Sequence, residues 1–171
     1  MNTIMKKTVV VILIFVMVSL FCSCNEFSDP PTVDDIEGFF TENEGYIQTV
    51  ADYLLHIEYD YAYLYREDGG SRFLSNREYH EIEDVKTRES IKELFNKGCL
   101  FIGKEEELNS LHFRIWSKTN GNIDCGLSHD IKYEDEPKVQ FQTELVPLNK
   151  DGWYYYLAEY EKWRSQHSDR Q

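Results

Sequence analysis

Tyrosines occupy alternate positions at Tyr59, Tyr61, Tyr63 and Tyr65. On a strand, that spacing turns all the rings to one face. Such a row either packs beneath a helix or offers flat, partly polar surfaces of the kind that bind proteins and sugars. The run Trp153-Tyr154-Tyr155-Tyr156 poses the same choice. Aromatic on both faces, it is expected to leave one of them open. Tyr59, Tyr61, Tyr63, Tyr65, Trp153 and Tyr155 are therefore the candidate interaction surface.

Residue types suited to catalysis are present but poorly arranged for it. Ser128-His129-Asp130 holds the three side chains of a hydrolytic triad. Neighbours on a strand point to opposite faces, whereas a triad converges from separate segments. The group Glu78, His80, Glu81, Glu83 and Asp84 has metal-binding chemistry, and His80 and Asp84 would share a face if this stretch were helical. No second histidine stands at zinc spacing, so a solvated acidic surface is expected and no metal. The 31 acidic residues offer many carboxylate pairs of the glycosidase type, and composition selects none of them. Gly69-Gly70 reads as a turn, because no Lys-Ser/Thr follows to make a phosphate loop. No cofactor is called for.

The elements that would position these groups can be read from periodicity. Thr32 is placed to cap a helix whose apolar residues fall at Val33, Ile36, Phe39, Phe40, Ile47, Val50, Leu54 and Ile57. The tyrosine strand follows, and Asp68-Gly69-Gly70 turns it back through Ser71–Leu74. A second helix is expected over Arg88–Lys97, capped by Thr87 and stopped at Gly98. Strands then read at Cys99–Ile102, His112–Trp116, Ile123–Ser128, Val139–Val146 and Trp153–Ala158, before a short helical or irregular end. Asn120-Gly121 marks a hairpin. The expected fold is α+β: an antiparallel sheet of about five to six strands, with a long N-terminal helix and a shorter second helix on one face.

The net charge of −13 opposes binding to polyanions, and nucleic acid is excluded as a partner on that ground. The acidic runs Glu105–Glu107 and Glu134–Glu136 suit solvated turns rather than calcium loops. A chain this rich in Tyr and Trp has the apolar content to fold.

The first residues carry the address. Lys6 and Lys7 precede the apolar run Val9–Val18, and Ser23-Cys24 then leads into polar, acidic sequence. This is the layout of a secretory signal, and the run is too short to span a membrane. It resembles a bacterial lipoprotein signal, with Phe21 and Cys22 departing from the usual residues. The resemblance implies cleavage after residue 23, a diacylglyceryl thioether on Cys24, and a protein held at the cell membrane on its extracytoplasmic side. Residues 24–32, with Pro30-Pro31, then form the anchor and tether, and residues 33–171 one globular domain. The body is similar to uncharacterised small lipoproteins of Gram-positive gut bacteria in its ending Gly152-Trp153-Tyr154-Tyr155-Tyr156, with Glu159-Tyr160 and Trp163-Arg164. That likeness implies no activity. Outside the cytoplasm a Cys99–Cys125 disulfide is permitted, the alternative being two buried thiols. The expected function is a binding or scaffolding module for a protein or glycan. The alternatives are an envelope hydrolase with acidic catalysts and an inhibitor of a cationic partner.

Overall fold

The computed structural model describes residues 29–118, 122–132 and 136–167. The leader, Cys24 and the Asn120-Gly121 turn lie outside these residues. Helix α1, Val33–His56, begins as the sequence predicts. Thr32 Oγ1 accepts from the Asp35 amide at 3.3 Å, and the Asp35 carboxylate accepts from the Thr32 amide at 2.9 Å. These bonds satisfy amides that have no partner within the helix. The Thr32 hydroxyl, donating to the Asp35 carboxylate at 2.7 Å, together with the Thr32 amide holds the Asp35 carboxyl below its usual range. Ile36, Phe40, Ile47, Val50 and Leu54 form its buried stripe.

Helix α2 runs Val85–Asn96, one turn earlier than expected at its start. Asp84 caps it in place of Thr87: the Asp84 carboxylate accepts from the Thr87 amide at 2.6 Å. Gly98 and Cys99 close its end by donating to Phe95 O and Leu94 O. Helix α3, Tyr160–His167, follows the last strand. Among the described residues no helix is long and apolar enough to cross a membrane.

The sheet has eight antiparallel strands, where about five to six are expected from the sequence. They are β1 Tyr61–Tyr65, β2 Arg72–Ser75, β3 Glu78–Glu81, β4 Phe101–Glu105, β5 Ser110–Lys118, β6 Ile123–Asp130, β7 Gln142–Pro147 and β8 Trp153–Glu159. Their order across the sheet is β3-β2-β1-β4-β5-β6-β8-β7. The strand without a counterpart in the sequence reading is β3. It is short and polar, and Asn76 and Arg77, both at positive φ, join it to β2. A two-residue loop of that form normally announces itself as Asn-Gly. Arginine at the second place hides it.

Alternation assigns the two faces. Ala62, Leu64, Ile102, Leu111, Phe113, Cys125, Leu127, Trp153, Tyr155 and Leu157 form one buried cluster with α1 and α2. Lys104 also lies on this inner face, only 1% exposed. Its Nζ donates to Ile57 O at 3.1 Å, just beyond the end of α1, and lies 3.4 Å from the Glu106 carboxylate. A cation there complements the negative end of the helix dipole.

Candidate functional site

The same alternation places Tyr61, Tyr63 and Tyr65 on the outer face, away from α1 and α2. Wholly apolar Ala62 and Leu64 take the inner positions. Tyr61 and Tyr63 are half-buried and Tyr65 is exposed. The first helix therefore does not cover this row. Tyr59 is a correction to the predicted surface. It precedes β1 and packs against Phe73 at 5.3 Å and His80 at 4.6 Å, with its hydroxyl 3.1 Å from His80 Nδ1. Trp153 and Tyr155 are corrections too. At 2% and 4% exposure they belong to the core, because β8 is an interior strand and its aromatic residues fill both faces.

Around the outer tyrosines the pairing of strands assembles a cleft of about 720 Å³. Ring neighbours run across it from strand to strand. Tyr63 lies 5.8 Å from Phe101, Phe101 5.5 Å from His112, and His112 6.2 Å from Tyr156, while Tyr61, beside Tyr63 on β1 at 5.4 Å, lies outside the cleft lining. Tyr65 reaches Phe101 from the side at 5.2 Å. Gly103 makes this floor possible. A Cβ there would stand 2.7 Å from His112 Cε1 and 2.8 Å from Phe101 Cε1, so the bare backbone lets both rings lie across β4. Val139, Phe141 and Tyr160 build the far wall.

Polar groups are set among the rings. The Arg114 guanidinium sits 4.9 Å from the Phe101 ring centre, and its Nε lies 3.4 Å from an Asp124 oxygen. The Tyr63 hydroxyl donates to the Glu105 carboxylate. Burial, with the nearby Glu105 charge, pushes the Tyr63 hydroxyl up to about 12. Burial also raises the Glu105 carboxyl. His112 is 6% exposed, and burial followed by the Arg114 charge lowers its imidazole to about 3. It is therefore neutral across physiological pH. Its buried Nδ1 has no hydrogen-bond partner among the described residues.

That unpaired nitrogen should cost roughly 1–3 kcal/mol, which leads to a prediction. His112→Phe keeps the ring and removes the orphan, so it should raise the melting temperature by a few degrees. It should also flatten the acid limb. His112 takes up a proton only on unfolding between pH 6.5 and about 3, so stability is lost as the pH falls through that window. His129, also lowered by burial, adds to the same slope and would remain. Urea melts at successive pH values should show wild type losing up to about 1.4 kcal/mol per pH unit more than the variant. Parallel curves would refute the assignment.

The remaining candidates do not converge. Cys99 and Cys125 are free, buried thiols, not a disulfide. Cys99 leads into β4 and Cys125 lies on β6, with β5 between them. Two strand spacings, about 9–10 Å, exceed disulfide reach. Burial pushes both thiols up to about 12, which makes them poor nucleophiles. Ser128 Oγ lies 3.0 Å from Ser110 Oγ on the outer face, while His129 packs on Trp153 at 4.7 Å on the inner one. The Ser128-His129-Asp130 run is thus split by alternation, as its adjacency requires. Asp84 serves α2, His80 serves Tyr59, and no group of metal ligands forms among the described residues.

Sequence reasoning missed Phe101, Glu105, His112, Arg114 and Asp124, and it raised Tyr156 only as part of the run Trp153–Tyr156. A signal for two of them was present: His112-Phe113-Arg114 alternates polar, apolar, polar on a strand already taken as such. No protein-family model, no curated protein and no solved structure matches this chain.

Proposed function

We propose that this protein is a binding module of the cell envelope, lipid-anchored through Cys24 and facing the extracytoplasmic side. The binding reading is carried by one observation: an open cleft whose floor is a run of aromatic rings interrupted by His112 and Arg114. Aromatic and arginine side chains around a concavity are the composition of binding centres. Catalysis is served less well. Arg114 engages Asp124, Tyr63 engages Glu105, and both buried cysteines are withdrawn from reaction. The anchor reading is supported by Lys6, Lys7, the run Val9–Val18 and Ser23-Cys24. Residues 25–32 would then hold the body off the membrane.

Two measurements test these parts separately. Bacterial cells expressing the chain and fed an alkyne fatty acid should label the wild type and not Cys24→Ser. Undiminished label on the variant would end the anchor claim. For the cleft, full chain in detergent should be retained by insoluble cell-envelope material. Tyr63→Ala and Arg114→Ala should each reduce that retention by about tenfold, the loss of roughly one good contact. Equal retention of wild type and variants would remove the cleft from the reading.

A further inference from the structure

The cleft carries three properties that together narrow its ligand. The first is the shape of its floor. Tyr63, Phe101 and His112 follow one another at 5.5–5.8 Å with ring planes only 35–36° apart, giving a short aromatic strip in which Tyr63 is half-buried and Phe101 and His112 are largely covered. Tyr156 closes its end edge-on, 85° to His112 and buried. A pyranose has an apolar C–H face of similar width, and a chain of sugars presents such faces in series.

The second property is the kind of polar group between the rings. Neutral imidazole donates at one nitrogen and accepts at the other, guanidinium only donates, and carboxylate only accepts. His112, Arg114 and Asp124 supply all of these within one patch. Hydroxyl groups both donate and accept, so neighbouring sugar hydroxyls can use each of them. A purely apolar ligand would desolvate these groups and offer them no hydrogen bond in return.

The third is charge. The chain as a whole is strongly acidic, at −13. The cleft lining is nearly balanced, with Glu67, Glu105 and Asp124 against Arg114 and Lys118. Arg114 and Asp124 already face each other, and Glu105 already accepts from Tyr63. A cationic ligand would find the carboxylates of the floor engaged. An anion would meet Arg114 already paired, and would approach against the net charge of the protein.

Building on the binding reading of this same cleft, we infer that its ligand is a short, uncharged oligosaccharide. Its sugar faces rest on Tyr63 and Phe101, and its hydroxyls engage His112 and the Arg114–Asp124 pair. The volume suits a few rings of a longer glycan rather than a single sugar.

The full chain in detergent should be applied to a printed array of neutral, acidic and amino oligosaccharides, with hexalysine as the cationic control. Calorimetry should then be run on whatever binds. Neutral oligosaccharides should be retained, with affinity changing less than about twofold between about 0.05 and 0.5 M NaCl, because screening acts on charge–charge attraction. Tyr63→Ala and Arg114→Ala should each weaken that binding by about tenfold. His112→Phe, which keeps the shape of the floor, should weaken it while melting no lower than wild type. Retention of only acidic glycans, or only hexalysine with steep salt dependence, would overturn the inference. So would neutral binding that these variants leave unchanged. If no glycan is retained while envelope material still is, and the cleft variants abolish that retention, the sugar assignment fails and the binding reading stands.

Discussion

Replacing Gly126 with alanine should cost this protein most or all of its stability. Gly126 lies in β6 between β5 and β8, opposite Arg114 on one side and Tyr156 on the other. A Cβ there would sit 2.0 Å from Phe113 O and 3.0 Å from Ile115 N. Both are main-chain atoms, so no rotamer change relieves the clash. The close approach has a local cause. The pairing of β5 with β6 shifts register between Arg114 and Trp116, leaving Ile115 as an extra residue. Ile115 and Trp116 both pack against the core as a result, while Arg114 stays on the outer face beside Phe101. The bulge therefore serves core and cleft together, and it needs a bare backbone on its neighbour. Backbone displacement in a central strand should cost about 4 kcal/mol or more, against a typical total of roughly 5–15 kcal/mol. Gly38→Ala is the counter-experiment. Its Cβ would meet nothing within 4 Å on an exposed turn of α1, so helix propensity alone should add about 1 kcal/mol. Urea denaturation should move the midpoints in opposite directions. A Gly126→Ala protein within about 1 kcal/mol of wild type would show that the bulge can relax, contrary to the packing described.

The parts of this fold that could be read in the sequence are those whose signal is local. Helix α1 has a capping residue, a 3.6-residue period and a length that suits both. Strand β1 was visible in the tyrosine alternation, but a period of two identifies two faces without saying which is inner. Burial decides that. Enclosing tyrosines obliges the core to satisfy their hydroxyls, whereas Ala62 and Leu64 make no such demand. Larger rings therefore faced outward and smaller apolar residues inward. The run Trp153–Tyr156 could not be resolved by alternation at all, since both of its faces are aromatic. Its placement depends on β8 lying between β6 and β7, which is a property of strand order. The cysteine pair failed on distance: β5 lies between their strands in the sheet as it does in the chain, which holds the two thiols two strand spacings apart. The cleft was the least visible feature. Its floor draws on β1, β4, β5 and β8, and it depends on the absent side chain of Gly103, which carries no meaning until the register is known.

The two faces of the sheet should separate in one paired substitution. Trp153→Ala removes a ring that is 2% exposed and packed 5.0 Å from Phe40, 5.8 Å from Phe113 and 4.7 Å from His129. It joins α1 to the middle of the sheet, and the surrounding strands are too constrained by pairing to collapse into the space. Loss of a buried aromatic of this kind costs about 3–5 kcal/mol, or a fall in melting temperature on the order of 10 °C. Tyr63→Ala removes an equally conspicuous aromatic residue from the other face. There the ring is half-buried, its far side is open to the cleft, and the void merges with solvent instead of becoming a cavity. Its stability cost should stay near 1 kcal/mol, the centre of the range for ordinary substitutions. The ligand readout should reverse this ranking. At a temperature where both variants are folded, Trp153→Ala should retain near-native affinity while Tyr63→Ala loses about tenfold. A Trp153→Ala protein that melted normally but bound poorly would put that ring on the functional surface and reverse the face assignment. The inner rings hold the sheet against its helices, whereas Tyr63 on the outer face is left half-buried at the cleft.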